Sequence, residues 1–191
     1  MLSNSSDKKT KESTIGKIEE DEVPVETKDY VLLAILCAVN LLANSAYSSI
    51  APFYPTEAIS KGVPESIFGL VFSSYSVAMV LFAPMYAKIL YTHGCRTVLT
   101  TGCIAEGIAM LVFGTFHFIE HPATFAVCSI ICRFLEGFGN GCLNSGSQKL
   151  IMVTFHESKL AKMTGILQTF TGLGMLCGPV LGSLLYGLGG F

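Results

Sequence analysis

In R-F-L-E-G-F-G-N-G, residues 133–141, opposite charges stand three apart and glycines fill every second position from 137 to 141. An Arg and a Glu at i, i+3 on a helix reach each other and form a hydrogen-bonded ion pair. The stretch lies inside FAVCSIICRFLEGFGNGCLNSG, apolar and long enough to cross a bilayer. A charge at the centre of a spanning helix costs about 2.5–3.5 kcal/mol on insertion scales, so two that neutralise each other are easier to bury. The pair also has a chemical use: protonating Glu136 removes one charge and frees Arg133 to repack, which makes it sensitive to acidity. The alternative is that Arg133 and Glu136 only pin helices together.

Other polar residues fall at helical spacing. Ser129, Arg133, Glu136, Asn140 and Asn144 share one face, while Gly137 and Gly141 form a G-x-x-x-G pair that lets another helix approach closely. Upstream, Asn40, Asn44 and Ser48 make a second stripe with Tyr47 beside it. Amides and a phenol hydrogen-bond a polar solute or solvate a cation, and Tyr47 can add a cation–π contact; bonding between helices is the equal alternative. Glu106 stands in LTTGCIAEGIAMLVFG without a basic neighbour. It is protonated, paired with another helix or facing a cavity, and the cavity is favoured. Tyr75, with Ser73 and Ser76, lends polarity to FSSYSVAMVLFAP, where Pro84 predicts a kink. Thr164, Gln168 and Thr171 read as packing.

The elements carrying these residues follow from hydropathy. About 20 mostly apolar residues cross a hydrocarbon core, and five stretches qualify: about 30–52, 67–91, 97–117, 123–146 and 161–187. The expected fold is therefore an all-α polytopic membrane protein with a transmembrane domain over 30–191. Residues 1–29 hold eight acidic and five basic residues and few large apolar ones, which predicts a disordered tail. A cytoplasmic tail places Lys8, Lys9, Lys11, Lys17, Lys28, Lys88, Arg96, Lys149, Lys159 and Lys162 on the inside and only Lys61 opposite, the sign of a cytoplasmic N-terminus. DYVLL at 29–33 resembles a sorting signal but reads as the start of the first span.

Cys128 and Cys132 sit one turn apart and read as core packing; His117 and His121 lack a third ligand, so no metal and no cofactor are expected. No P-loop, zincin or nucleophile-elbow pattern is present, and neither enzymatic activity nor a nucleic-acid partner is expected. The sequon at Asn4 falls on the cytoplasmic side and should stay unglycosylated.

The last span reads GLGMLCGPVLGSLLYGLGGF, with Gly174, Gly178 and Gly182 at intervals of four and Pro179 after the middle one. G-x-x-x-G-P-x-x-G resembles the fifth-helix antiporter signature of the major facilitator superfamily. Residues 133–141 resemble that superfamily's fourth-helix R-x-x-x-G-x-G, with Arg133, Gly137 and Gly139 in place. AKILYTHGCRTVL resembles its loop between spans two and three, where Gly94 and Arg96 match and Ala87, Tyr91, Thr92 and Cys95 depart. Within the superfamily, APFYPTEAISKGVPESIFGLVFSSYSVAMVLFAPMYAKIL is similar to the vesicular amine transporters. Ala43, just before Asn44, and Tyr75 stand where monoamine and acetylcholine members carry Asp and Lys. PFYPTEA resembles the first luminal turn of the vesicular polyamine branch.

The resemblance implies an incomplete N-terminal six-helix bundle, with helix six and the C-terminal half of the carrier missing. It also implies proton-coupled antiport of a small organic cation, a polyamine or related amine, into acidic vesicles by the full-length parent. A drug or metabolite antiporter of the same superfamily is one alternative. A truncated, non-transporting membrane protein with a regulatory role is another.

Overall fold

A computed structural model describes residues 27–189. The expected disordered tail lies almost wholly outside the described residues. Within them the chain is helical: α1 Thr27–Ser49, α2 Tyr54–Ser60, α3 Ser66–Leu81, α4 Ala83–Gly114, a 3-10 turn Thr115–Phe118, α5 Pro122–Thr154 and α6 Glu157–Gly189. Four of these, the first extended through Ser60 and α4 through Phe118, are long and apolar enough to cross a membrane, and α3 is a shorter apolar helix. DYVLL lies in the opening turns of α1.

In the region of the expected second and third spans, about 67–91 and 97–117, helix ends and passes do not coincide. Pro84 sits in the first turn of α4, and α3 stops at Leu81, its last turn closed by the Phe82 amide donating to Ala78 and Val80. A proline lacks the donor that would continue the ladder, so the helix restarts after Phe82 instead of bending through it. Gly94 then breaks α4 with φ 80° and ψ 173°, a backbone that glycine adopts without Cβ strain. Neighbours along α5 show that the chain reverses there. Tyr75 lies at Gly137 and Tyr86 at Gly141, but past Gly94 Leu99 lies at Gly146, Gly102 at Gly139, and Ala109 at Cys132. α3 with the first turns of α4 is therefore one pass, parallel to α5, and Cys95–Gly114 is the next, antiparallel to it.

α1 and α6 pack parallel in matching register: Gly174 lies on Leu41, Gly178 on Ser45 and Gly182 on Ser49. Ser45 and Ser48 donate to the Gly174 carbonyl at 3.1 and 3.4 Å. Backbones approach this closely because no Cβ intervenes; one on Gly178 would strike the Ser48 hydroxyl and the Ser45 carbonyl.

Apolar clusters seal the two ends of the bundle. Leu33, Leu36, Ile151, Phe155, Met163 and Leu167 close the end where α1 begins. At the other, Tyr54 is fully buried among Phe68, Phe72, Phe113 and Phe125. PFYPTEA thus forms a short helix with a plug, not a bare turn. Lys61 fastens this end: its ammonium donates to the carbonyls of His117 and Ile119 at 2.8 and 2.7 Å and lies 3.4 Å from Glu57. His117 stands 3.6 Å from Glu57, while His121 approaches Thr124.

Candidate functional site

Between the two apolar clusters lies a polar layer built on α5. Arg133 is 0% exposed and Glu136 1%, and the Arg133 Nη1 donates to Glu136 Oε2 at 2.9 Å. The guanidinium also reaches the Tyr47 carbonyl at 3.3 and 3.4 Å. Around it stand the rings of Tyr47, Phe72 and Phe113, with centroids 5.1, 5.4 and 5.9 Å away. Each desolvated cation–π contact is worth about 2 kcal/mol, so the rings supply what water would otherwise give the cation. Phe72 and Phe113 were not singled out from the sequence; a phenylalanine in an apolar span carries no signal that it faces a charge.

The glycines of 133–141 serve three neighbours. A Cβ on Gly137 would collide with the Tyr75 carbonyl on α3, one on Gly139 with the Glu106 amide, and one on Gly141 with the Tyr86 ring. Gly137 and Gly141 thus face the one pass made by α3 and the first turns of α4, and Gly139 faces the pass after Gly94.

Tyr47 and Tyr75 stack at 3.9 Å between centroids, 24° from parallel, so α1 and α3 meet beside the ion pair. Asn40 donates to Leu36 and to Ser147 Oγ at 2.8 Å, and Asn44 donates to the Asn40 carbonyl. Both amides are buried by packing: the structure gives Asn40 a role between helices, and Asn44 lies against Gly174. Asn140 and Glu106 differ. The Asn140 amide and the Glu106 carboxylate, both buried, face each other across α5 and α4. Asn144, one turn further along α5, accepts from Gln148.

The remaining site expectations are placed as follows. Gly174, Gly178 and Gly182 face α1; Pro179 lies inside α6, and its carbonyl accepts from Ser183. Gly94 makes the reversal, Arg96 is exposed beyond it, and Tyr91 is 93% exposed where the superfamily loop carries an Asp. The Cys132 thiol donates to the Ala109 carbonyl at 3.0 Å, a packing role.

An all-helical membrane bundle holding a sealed ion pair beside stacked aromatics is the architecture of a multi-pass membrane carrier, in which intramembrane charges face the bundle interior. The chain matches the Major Facilitator Superfamily over residues 34–191 and belongs to it; its members are carriers, not enzymes. It is 28% identical over 172 residues to the MFS-type transporter SLC18B1 of Mus musculus, covering 90% of this chain and 37% of that protein. The Homo sapiens transporter of the same name is 26% identical over 161 residues, 84% of this chain and 35% of that one. The multidrug efflux pump SdrM of Staphylococcus aureus is 28% identical over 117 residues, 61% and 25% of the two chains. The chain thus spans little more than a third of the SLC18B1 transporters it matches.

Proposed function

We propose that the chain is the N-terminal helical part of a proton-coupled antiporter that loads a small organic cation, a polyamine or related amine, into acidic vesicles. The observation that carries this reading is the buried Arg133–Glu136 pair set against the Tyr47–Tyr75 stack. A proton on Glu136 cancels one partner, leaving Arg133 to its rings and the Tyr47 carbonyl, so the local packing responds to acidity. The stacked phenols supply aromatic surface on which a cation can be held. The likeness of PFYPTEA to the polyamine branch favours an amine cargo, and the MFS-type transporter relatives along nearly the whole chain favour transport. On this reading the N-terminus is cytoplasmic, following the placement of Lys and Arg.

Resemblance to several multidrug efflux pumps supports a second reading, a carrier of drug-like cations. Uptake of labelled spermidine into acid-inside vesicles bearing the whole carrier separates the two. The amine reading expects saturable uptake, resistant to competing drug cations and abolished by Glu136→Gln. Uptake displaced equally by unrelated drugs supports the second reading, and normal uptake in Glu136→Gln removes the pair from the mechanism.

A further inference from the structure

Two buried hydroxyls lie between the ion pair and the end of the bundle that Tyr54 seals. Tyr54 and Ser129 are both 0% exposed, so nothing outside the described chain touches them. The Tyr54 ring stacks on Phe125 at 5.7 Å, 14° from parallel. Its hydroxyl faces that of Ser129, one turn further along α5, and lies within electrostatic reach of Arg133, a turn beyond. Burying a hydroxyl costs free energy that a fifth phenylalanine in the place of Tyr54 would avoid.

The apolar walls around these groups are shared. Phe72 and Phe113 lie against Tyr54, with centroids 5.7 and 6.2 Å away, and both also lie against the guanidinium. A guanidinium that shifts from Glu136 towards Ser129 therefore keeps the same two rings. It has the donors to do so: Nη1 is the group Glu136 holds, and Nε makes no hydrogen bond among the described residues. Each hydroxyl oxygen has lone pairs to receive them.

We propose that the Tyr54–Ser129 pair is a second seat for Arg133, taken when Glu136 accepts a proton and vacated when the proton leaves. The titratable and charged groups around Glu136 are Arg133 and Cys132 on α5, Tyr75 on α3 and Glu106 on α4, with Tyr47 of α1 over the guanidinium. Glu106 is the competing acceptor, but it lies at Gly139 and Asn140, beyond Glu136, whereas the hydroxyls lie on the near side of Arg133. The trigger, a proton on Glu136, rests on the antiport reading above; the cargo plays no part.

A double-mutant cycle read by thermal unfolding of the full chain in one detergent tests this without any transport step. Glu136→Gln stands in for the protonated carboxyl, and Tyr54→Phe removes the hydroxyl while keeping the ring. Tyr54→Phe is expected to lower the midpoint by about 4 °C more in the Glu136→Gln background than in the wild type, the size of one hydrogen bond to a charge in a chain of this length. Ser129→Ala should behave likewise, and adding Arg133→Met should abolish the excess. With Glu136 intact, the gap between wild type and Tyr54→Phe should open as the pH is lowered, a comparison that needs no Gln variant to fold. Equal shifts in both backgrounds and at every pH overturn the second seat. So does an excess that survives Arg133→Met, or one that Glu106→Gln produces in place of the hydroxyl variants. Each of these leaves the antiport reading standing, because that reading is judged by uptake and not by stability.

Discussion

Arg133 and Glu136 are worth more together than either is alone. Removing one partner of a buried ion pair costs about 3–5 kcal/mol because the other charge is stranded, while replacing both with apolar or neutral groups is often neutral or stabilising. Arg133→Met should therefore lower the stability of the chain by about that amount, and Arg133→Met with Glu136→Gln should recover most of it. Thermal unfolding in one detergent checks both, and a double variant as unstable as the single would mean that the guanidinium acts through its ring contacts and not through Glu136. Both variants should lose proton-driven uptake. The pair itself was legible in the sequence, since i, i+3 spacing inside an apolar span leaves few other geometries. Its aromatic surround was not, because Phe72 and Phe113 come from α3 and α4 and converge only in the folded bundle. Asn40 and Asn44 show the opposite limit: their helical spacing is plain in the sequence, but the contact of Asn40 with Ser147 on α5 is not.

At the scale of the element, glycine position matters more than glycine number. Gly178 lies against Ser45 and Ser48 of α1, whereas a Cβ on Gly165 of the same helix meets nothing within 4 Å. Gly178→Ala should destabilise by about 1–3 kcal/mol, the usual cost of overpacking, and Gly165→Ala should be neutral or stabilise by up to about 1 kcal/mol through helix propensity. Thermal unfolding of the two variants side by side checks the contrast; equal effects would show that α6 does not seat on α1 as described. The four-residue glycine period was readable as a packing face, though the sequence could not say that α1 is the partner or that the two helices run parallel. Hydropathy put a break between about 91 and 97 but not its form, since α4 stays helical on both sides of Gly94 and only a positive φ marks the turn. It also missed Tyr54, because a tyrosine between two prolines looks like a loop residue until its ring is seen among four phenylalanines.

At the scale of the molecule, the bundle is arranged around α5. α3 and both halves of α4 lie on its glycines, α1 meets it through Arg133 and Ser147, and α6 attaches mainly through α1. The polar layer is thus buried by helices from nearly the whole described chain. Membership of the Major Facilitator Superfamily agrees with this arrangement, and the fifth-helix and fourth-helix motifs that suggested it from the sequence are the two glycine faces seen in the fold. Arg133, Glu136, Tyr47, Tyr75 and Glu106 gather between the apolar clusters at the two ends of the bundle. The measurement that tests the central claim most directly is proton movement from acid-loaded liposomes bearing the whole carrier when spermidine is added outside. Coupled exchange at the Arg133–Glu136 pair predicts amine-triggered proton efflux in the wild type and none in Glu136→Gln. Amine entry without proton efflux, or equal efflux in the variant, would contradict it.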